Sequence, residues 1–260
     1  MLMVYQTAIL FNIQLPFALY GFVFFGSVCS YNFHWYLTPP TIPHPSEKLR
    51  WAITNKSVHL VLFIIGLTGS GIFTFLLINH WFWLGVTAFV TFMYSAPKIP
   101  HPLFSGIRKI AIGKTIFLAF SWAHVTSLLP LVITIKYLQA PHIWFVINRF
   151  FFIYAICILF DYRDIEEDRK AGIKSLITYL NTRGVSTLFW CSVAVFVISS
   201  FVLLKYFSLP IIIALLIPGI ILCFLYPTSK KNSSDYLYYF VLDGLMMLSS
   251  PLLLLVKFAG

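Results

Sequence analysis

The sequence predicts an all-α protein, a polytopic membrane helical bundle with eight full transmembrane helices and a shortened first one. Three observations carry this expectation. Hydrophobic residues make up 60% of the 260 and charged residues 10%, at a mean hydropathy of +0.88, whereas soluble domains carry roughly 25% charge. Apolar runs close to the ~20 residues that cross a ~30 Å hydrocarbon core recur along the whole chain. Short clusters of Pro, Asn, Lys or Arg separate them. Unbroken runs of this length point to helices, which satisfy their own backbone hydrogen bonds in lipid, and not to the alternating short strands of a barrel.

In chain order, Leu2 to Phe11 is apolar but half the length of a span, and a turn-like Asn12 to Pro16 follows it. The stretch lacks the basic start and small-residue cleavage site of a signal peptide. It reads as the second half of a first helix whose beginning lies outside this chain. Full spans are expected at Leu15 to Leu37, Val58 to Ile78, Trp81 to Ala96, Ile107 to Ile135, Ile143 to Phe160, Val185 to Leu204, Leu209 to Tyr226 and Tyr236 to Phe258. No soluble domain, long linker or low-complexity segment interrupts them, so residues 1–260 read as a single transmembrane domain.

The net charge of +10 resides mainly in the connections. Thirteen of the eighteen Lys and Arg fall in the loops around Thr38 to Lys56, Lys98 to Lys109, Asp161 to Gly184 and Thr228 to Asp235. Such asymmetry encodes orientation, with those loops cytoplasmic, and it argues against nucleic acid as a partner. The expected location is the inner membrane of a bacterium. The four cysteines all lie inside apolar runs, without metal-ligand spacing.

The eight acidic residues are distributed unevenly. Five of them (Asp161, Asp164, Glu166, Glu167, Asp168) occupy eight consecutive positions in FDYRDIEEDRKAG. Asp161, Asp164 and Asp168 follow i, i+3, i+7 spacing, which on a helix gathers them into an arc of about 60°. Carboxylates held together at the mouth of an apolar bundle repel one another unless a cation compensates them. All-oxygen ligands suit Mg²⁺, which takes one or two carboxylates together with substrate phosphates. Glu166 and Glu167 point elsewhere on the wheel, and Arg163 lies at about 200°, opposite the aspartates, and is not expected to neutralise that face. The competing reading is a solvated charged loop balanced by Arg163, Arg169, Lys170 and Lys174.

The stretch FDYRDIEEDRKAGIKSL resembles the second aspartate motif of the UbiA superfamily of intramembrane prenyltransferases, and MYSAPK at Met93 to Lys98 resembles that family's tyrosine-proline-lysine stretch. The resemblance implies a nine-helix bundle that transfers a prenyl group from a polyprenyl diphosphate to an aromatic or lipophilic acceptor. It further implies Mg²⁺ held by Asp161, Asp164 and Asp168, with membrane lipid around the protein. The family's first motif, NxxxDxxxD, should close the first full span, where this chain reads SYNFHWYLTPP. Asn32 matches the asparagine, but Tyr36 and Pro40 stand at the aspartate positions.

Lys114 and Asp243 each lie about two turns from the cytoplasmic end of a span. Intramembrane charges cost ~2.5 to 3.5 kcal/mol on insertion scales, so they read either as substrate-binding residues or as a structural pair. Lys98 reads either as a phosphate partner or as a topology signal. His124 reads as a packing residue, and Asn148 and Arg149 as belonging to the other leaflet. Two alternatives to a transferase stand beside it: a degenerate relative that binds a lipid or diphosphate without turnover, and a small-solute transporter using the intramembrane charges.

Overall fold

The computed structural model describes residues 1–38, 47–96, 99, 114–170 and 179–259, and among these the secondary structure is helical throughout. The side chains of residues 47–49, 114, 166–170 and 259 lie outside the described set. The α-helices are α1 (Leu2–Phe11), α2 (Phe17–Tyr36), α3 (Glu47–Thr54), α4 (Lys56–Leu76), α5 (Trp81–Ser95), α6 (Lys114–Ala123), α7 (Leu129–Thr134), α8 (Ala140–Lys170), α9 (Thr182–Leu203), α10 (Leu209–Ser229) and α11 (Asp243–Ala259). A π-helical turn, His124–Leu128, joins α6 to α7, and a second, Tyr236–Leu242, leads into α11.

Six helical stretches are long and apolar enough to cross a membrane: Lys56–Leu76, Thr115–Thr134, Ala140–Ile165, Thr182–Leu203, Leu209–Ser229 and Tyr236–Phe258. The chain is thus an integral membrane protein by the length and composition of its helices. Two of the eight expected full spans fall short of that test for physical reasons. The last turns of α2 carry the polar SYNFHWY, and α5 has only 15 residues. The connection expected to begin at Asp161 begins later, because α8 runs unbroken to Lys170.

The chain forms two compact units. One comprises Met1 with Leu15–Arg108, and the other Leu2–Gln14 with Lys109–Gly260.

In the first unit α2 and α4 pack as an antiparallel pair through glycines. A Cβ on Gly66 would come within 2.7 Å of the Cys29 Cα and meet that residue's backbone nitrogen, so the two backbones touch at this point. Gly69 lies against the Phe25 ring and Gly21 against the Phe73 ring, and these two phenylalanines stack at 5.8 Å. Lipid tails are as apolar as the side chains, so close backbone approach and dispersion hold such a pair, not hydrophobic burial. Gly66→Ala should therefore destabilise the protein by about 1–3 kcal/mol, since backbone cannot move aside as a side chain can. Gly71→Ala, with open space around its Cβ, should stay within about 0.5 kcal/mol. Thermal unfolding in detergent checks the pair, and equal shifts would contradict this packing.

In the second unit α1 ends in a Schellman arrangement. Asn12 adopts φ 52°, its N–H donates to the Ile9 carbonyl at 3.4 Å, and the Ile13 N–H donates to the Ala8 carbonyl at 3.1 Å. Asparagine is among the few non-glycine residues that tolerate this left-handed geometry. Thr7 ties α1 to the π-turn by donating to the Thr126 carbonyl at 2.7 Å. The core of the unit surrounds α8, whose residues Phe152 to Leu159 are all buried, with Phe189 and Phe196 of α9, Leu222 of α10 and Tyr238 and Leu242 of the second π-turn packed around them. The helix that carries the aspartates is thus the most enclosed of the six membrane-length helices.

Candidate functional site

Because α8 continues past the apolar core without a break, it carries Asp161 and Asp164 on one helical surface at its C-terminal end. The same stripe, read back toward the core at i−4 and i−7 from Asp161, contains Cys157 and Tyr154. Asp161 is 5% exposed and accepts a hydrogen bond from the Thr115 hydroxyl in the first turn of α6. The bond fixes the carboxylate against α6, and a carboxylate can accept several hydrogen bonds or ligate a cation. Asp243, half-buried at the start of α11, and Asp161 both lie within electrostatic reach of Cys157. One end of the unit thus gathers carboxylates from α8 and α11.

Asp164 is not left to repel its neighbour. Arg163 Nε donates to Asp164 Oδ1 at 2.7 Å, while Nη2 donates to the Tyr239 hydroxyl at 2.9 Å and Nη1 lies 3.8 Å from Asp235 Oδ1. The guanidinium also lies 4.7 Å from the ring centroids of both Tyr238 and Tyr239 and 5.5 Å from that of Phe160. Two consecutive tyrosines can embrace one cation here because the 236–242 segment is π-helical. This corrects the expectation that Arg163 leaves the aspartate face alone. The wheel angle describes where Cβ points; a long side chain bends back to the carboxylate of the next residue.

A second cation stands at the same end. Lys230 Nζ donates to the Ser186 hydroxyl at 3.0 Å and lies over the Tyr226 ring at 4.9 Å and the Tyr162 ring at 5.4 Å. The sequence treats Lys230 as one loop base among thirteen, and nothing in its local pattern marks its approach to the residue beside Asp161.

The remaining expected site residues are placed as follows. Asn32, in the first unit, donates from Nδ2 to the Val28 carbonyl at 2.7 Å and meets His59 Nδ1 through Oδ1 at 2.8 Å. Lys114 is the first described residue of α6, and its side chain lies outside the described set, as do the side chain of Asp168 and the whole of Lys98. Among the described residues no group of three or more carboxylate, imidazole or thiol side chains converges as a metal site. The two described aspartates nevertheless fit Mg²⁺ by donor chemistry: both offer carboxylate oxygens, one turn apart on one face.

Roughly 18 Å along α8 from Asp161 lies a separate polar centre. Arg149, 1% exposed, donates from Nε and Nη2 to Asn148 Oδ1 at 3.2 and 3.0 Å, and from Nη1 to the Ser249 hydroxyl at 3.0 Å. Asn148 Nδ2 in turn reaches the Phe196 carbonyl and the Ser199 and Ser200 hydroxyls at 2.7 to 3.1 Å. Three phenylalanine rings, Phe145, Phe152 and Phe196, surround the guanidinium within 5.9 Å. This network bolts α8 to α9 and α11 and stands apart from the aspartates, as the sequence leads one to expect. His124 opens the first π-turn, buried and stacked on Phe120 at 5.8 Å.

The fold and site thus define a helical integral membrane protein whose second unit gathers carboxylates from α8 and α11, with cations held among tyrosines, at one end. The family profile makes this specific. The UbiA prenyltransferase family matches residues 49–244, most of the chain, and the protein belongs to that family. Comparison with curated proteins and with solved structures gave no match.

Proposed function

We propose that the protein transfers a prenyl group from a polyprenyl diphosphate to an aromatic or other lipophilic acceptor, at the end of the bundle marked by Asp161 and Asp164. The observation that carries this reading is the aspartate face of α8 inside a chain that matches the prenyltransferase family over residues 49–244. Asp161, Asp164 and Asp168 are the residues that would hold Mg²⁺, which when bound supplies positive charge to the diphosphate. Arg163 and Lys230 add fixed cations at the same end, favouring the negative charge that develops as the bond between the prenyl carbon and the diphosphate oxygen breaks. Lys98 and Lys114 are proposed as further phosphate partners, and Asp243 as the group that orients Lys114 or the acceptor. The apolar bundle excludes water from the allylic cation.

The full architecture in this reading is nine helices, with α2 and α5 completing the set of spans. The thirteen bases in the connections support a cytoplasmic position for the aspartates, which this reading sets in a bacterial inner membrane. Labelling of a single cysteine at position 231 only from outside intact cells would overturn that orientation.

A second reading has its own support. Asp161 and Asp164 already accept bonds from Thr115 and Arg163, and the first aspartate motif has Tyr36 and Pro40 where carboxylates should stand. Both features favour a family member that binds a prenyl diphosphate without turning it over. Purified protein incubated with radiolabelled prenyl diphosphate, Mg²⁺ and a membrane lipid extract separates the two. A prenylated lipophilic product supports transfer; tight binding with no product supports the binder.

A further inference from the structure

The degenerate first motif is not an empty position. At the end of α2, Asn32 holds His59 of α4, and the geometry of the pair fixes its hydrogens. The Val28 backbone carbonyl can only accept, so the amide atom bonded to it at 2.7 Å is the nitrogen, and the atom facing His59 is the acceptor oxygen. Nδ1 of His59 must therefore carry a hydrogen and donate it at 2.8 Å. In the neutral ring this leaves Nε2 as a bare lone pair, since a neighbouring acceptor at Nδ1 selects the histidine tautomer.

That nitrogen is buried and has no hydrogen-bond partner, in a side chain only 5% exposed. A buried polar atom left unsatisfied costs ~1–3 kcal/mol, so it marks a place where a donor belongs. The surroundings describe the donor's body. Trp35 lies nearly parallel to the imidazole, 23° off at 6.5 Å, and Trp51 meets it edge-on at 5.6 Å. Indole rings beside an imidazole with one unpaired nitrogen suit a flat ring that bears a hydroxyl.

We propose that His59 Nε2, oriented by Asn32, accepts a hydrogen bond from the hydroxyl of a planar aromatic ligand seated among Trp35 and Trp51. The binding claim stands on this geometry alone. Its identification with the acceptor of prenyl transfer rests on the function proposed above. In that case the chain has an acceptor-binding imidazole in the first turn of α4, held by Asn32 near the end of α2, where the motif it resembles carries carboxylates.

The test compares 2-naphthol with 2-methoxynaphthalene, which has the same ring system but no hydroxyl hydrogen, by equilibrium binding to purified protein in detergent. Wild type should prefer the naphthol about tenfold, the worth of one net hydrogen bond, and the preference should vanish in His59→Phe. Taking the ratio within each protein cancels partitioning into detergent. ¹⁵N-histidine-labelled wild type gives a reading that needs no variant: one Nδ1-protonated ring whose bare Nε2 resonance shifts on adding naphthol and not on adding the ether. Equal affinities in wild type, a preference that survives in His59→Phe, or an unmoved resonance would each overturn the proposal. The transferase reading fails separately: a His59-dependent preference in a protein that forms no prenylated product keeps the site and rejects the transfer.

Discussion

Asn148→Ala should destabilise the protein more than Arg149→Met, although it removes fewer atoms. Arg149 is a fully buried cation whose Nε and Nη2 both depend on the single oxygen of Asn148. Removing that oxygen leaves a guanidinium in apolar surroundings with only the Ser249 hydroxyl and three aromatic faces. The substitution also removes the amide nitrogen that donates to the Ser199 and Ser200 hydroxyls, which keep their own bonds to the Phe196 carbonyl. Loss of one partner from a buried charged arrangement costs on the order of 3–5 kcal/mol. Methionine at position 149, in contrast, removes the desolvated charge itself and keeps most of the volume among Phe145, Phe152 and Phe196. Its gain offsets the orphaned Asn148 oxygen, for a net change within about 1 kcal/mol. Thermal and denaturant unfolding in detergent would rank the two. The reverse order would mean that the charge itself, and not its hydrogen-bonded neighbour, holds these helices together.

Asp164→Asn should weaken Mg²⁺-dependent binding of a prenyl diphosphate at least tenfold, or about 1.4 kcal/mol. The substitution is nearly isosteric and removes one charged oxygen donor from the α8 face. It also turns the charged partner of Arg163 Nε into a neutral amide oxygen, leaving the guanidinium less neutralised and by itself favourable to an anionic ligand. The loss is therefore expected in the Mg²⁺-dependent component, while any metal-independent binding holds or rises. Glu166→Gln, which removes the same charge from another face of the same turn, should change the Mg²⁺-dependent component little. Similar responses to both substitutions would identify the cluster as a general charged patch.

The helical class, the membrane setting and the shared α8 surface of Asp161 and Asp164 were legible because each is written in a local period. An apolar run of span length declares itself by length, and Asp161, Asp164 and Asp168 declare a common face by their spacing. What escaped the sequence depends on long side chains and on partners far along the chain. Arg163 lies across the wheel from Asp164 yet bonds to it, because a guanidinium reaches several ångströms from its Cβ. Lys230 meets Tyr162 from a helix that begins almost fifty residues later, and no local signal marks that approach. His59 was hidden for a third reason. It sits in the first turn of an ordinary apolar span, and only its bond to Asn32, 27 residues earlier, distinguishes it from a packing histidine. The end of α8 was placed too early because charge was read as loop, whereas a helix leaving the hydrocarbon region can carry charged residues through several more turns.

The central claim is that the carboxylate face of α8 makes this chain a Mg²⁺-dependent binder of polyprenyl diphosphate. Its most direct test is equilibrium binding of geranylgeranyl diphosphate to the purified wild-type protein, with and without Mg²⁺, against geranylgeraniol as a control that shares the chain and lacks the phosphates. The account predicts that Mg²⁺ tightens diphosphate binding at least tenfold and leaves geranylgeraniol binding unchanged. Diphosphate affinity that ignores Mg²⁺, or that equals the affinity for the alcohol, would contradict it.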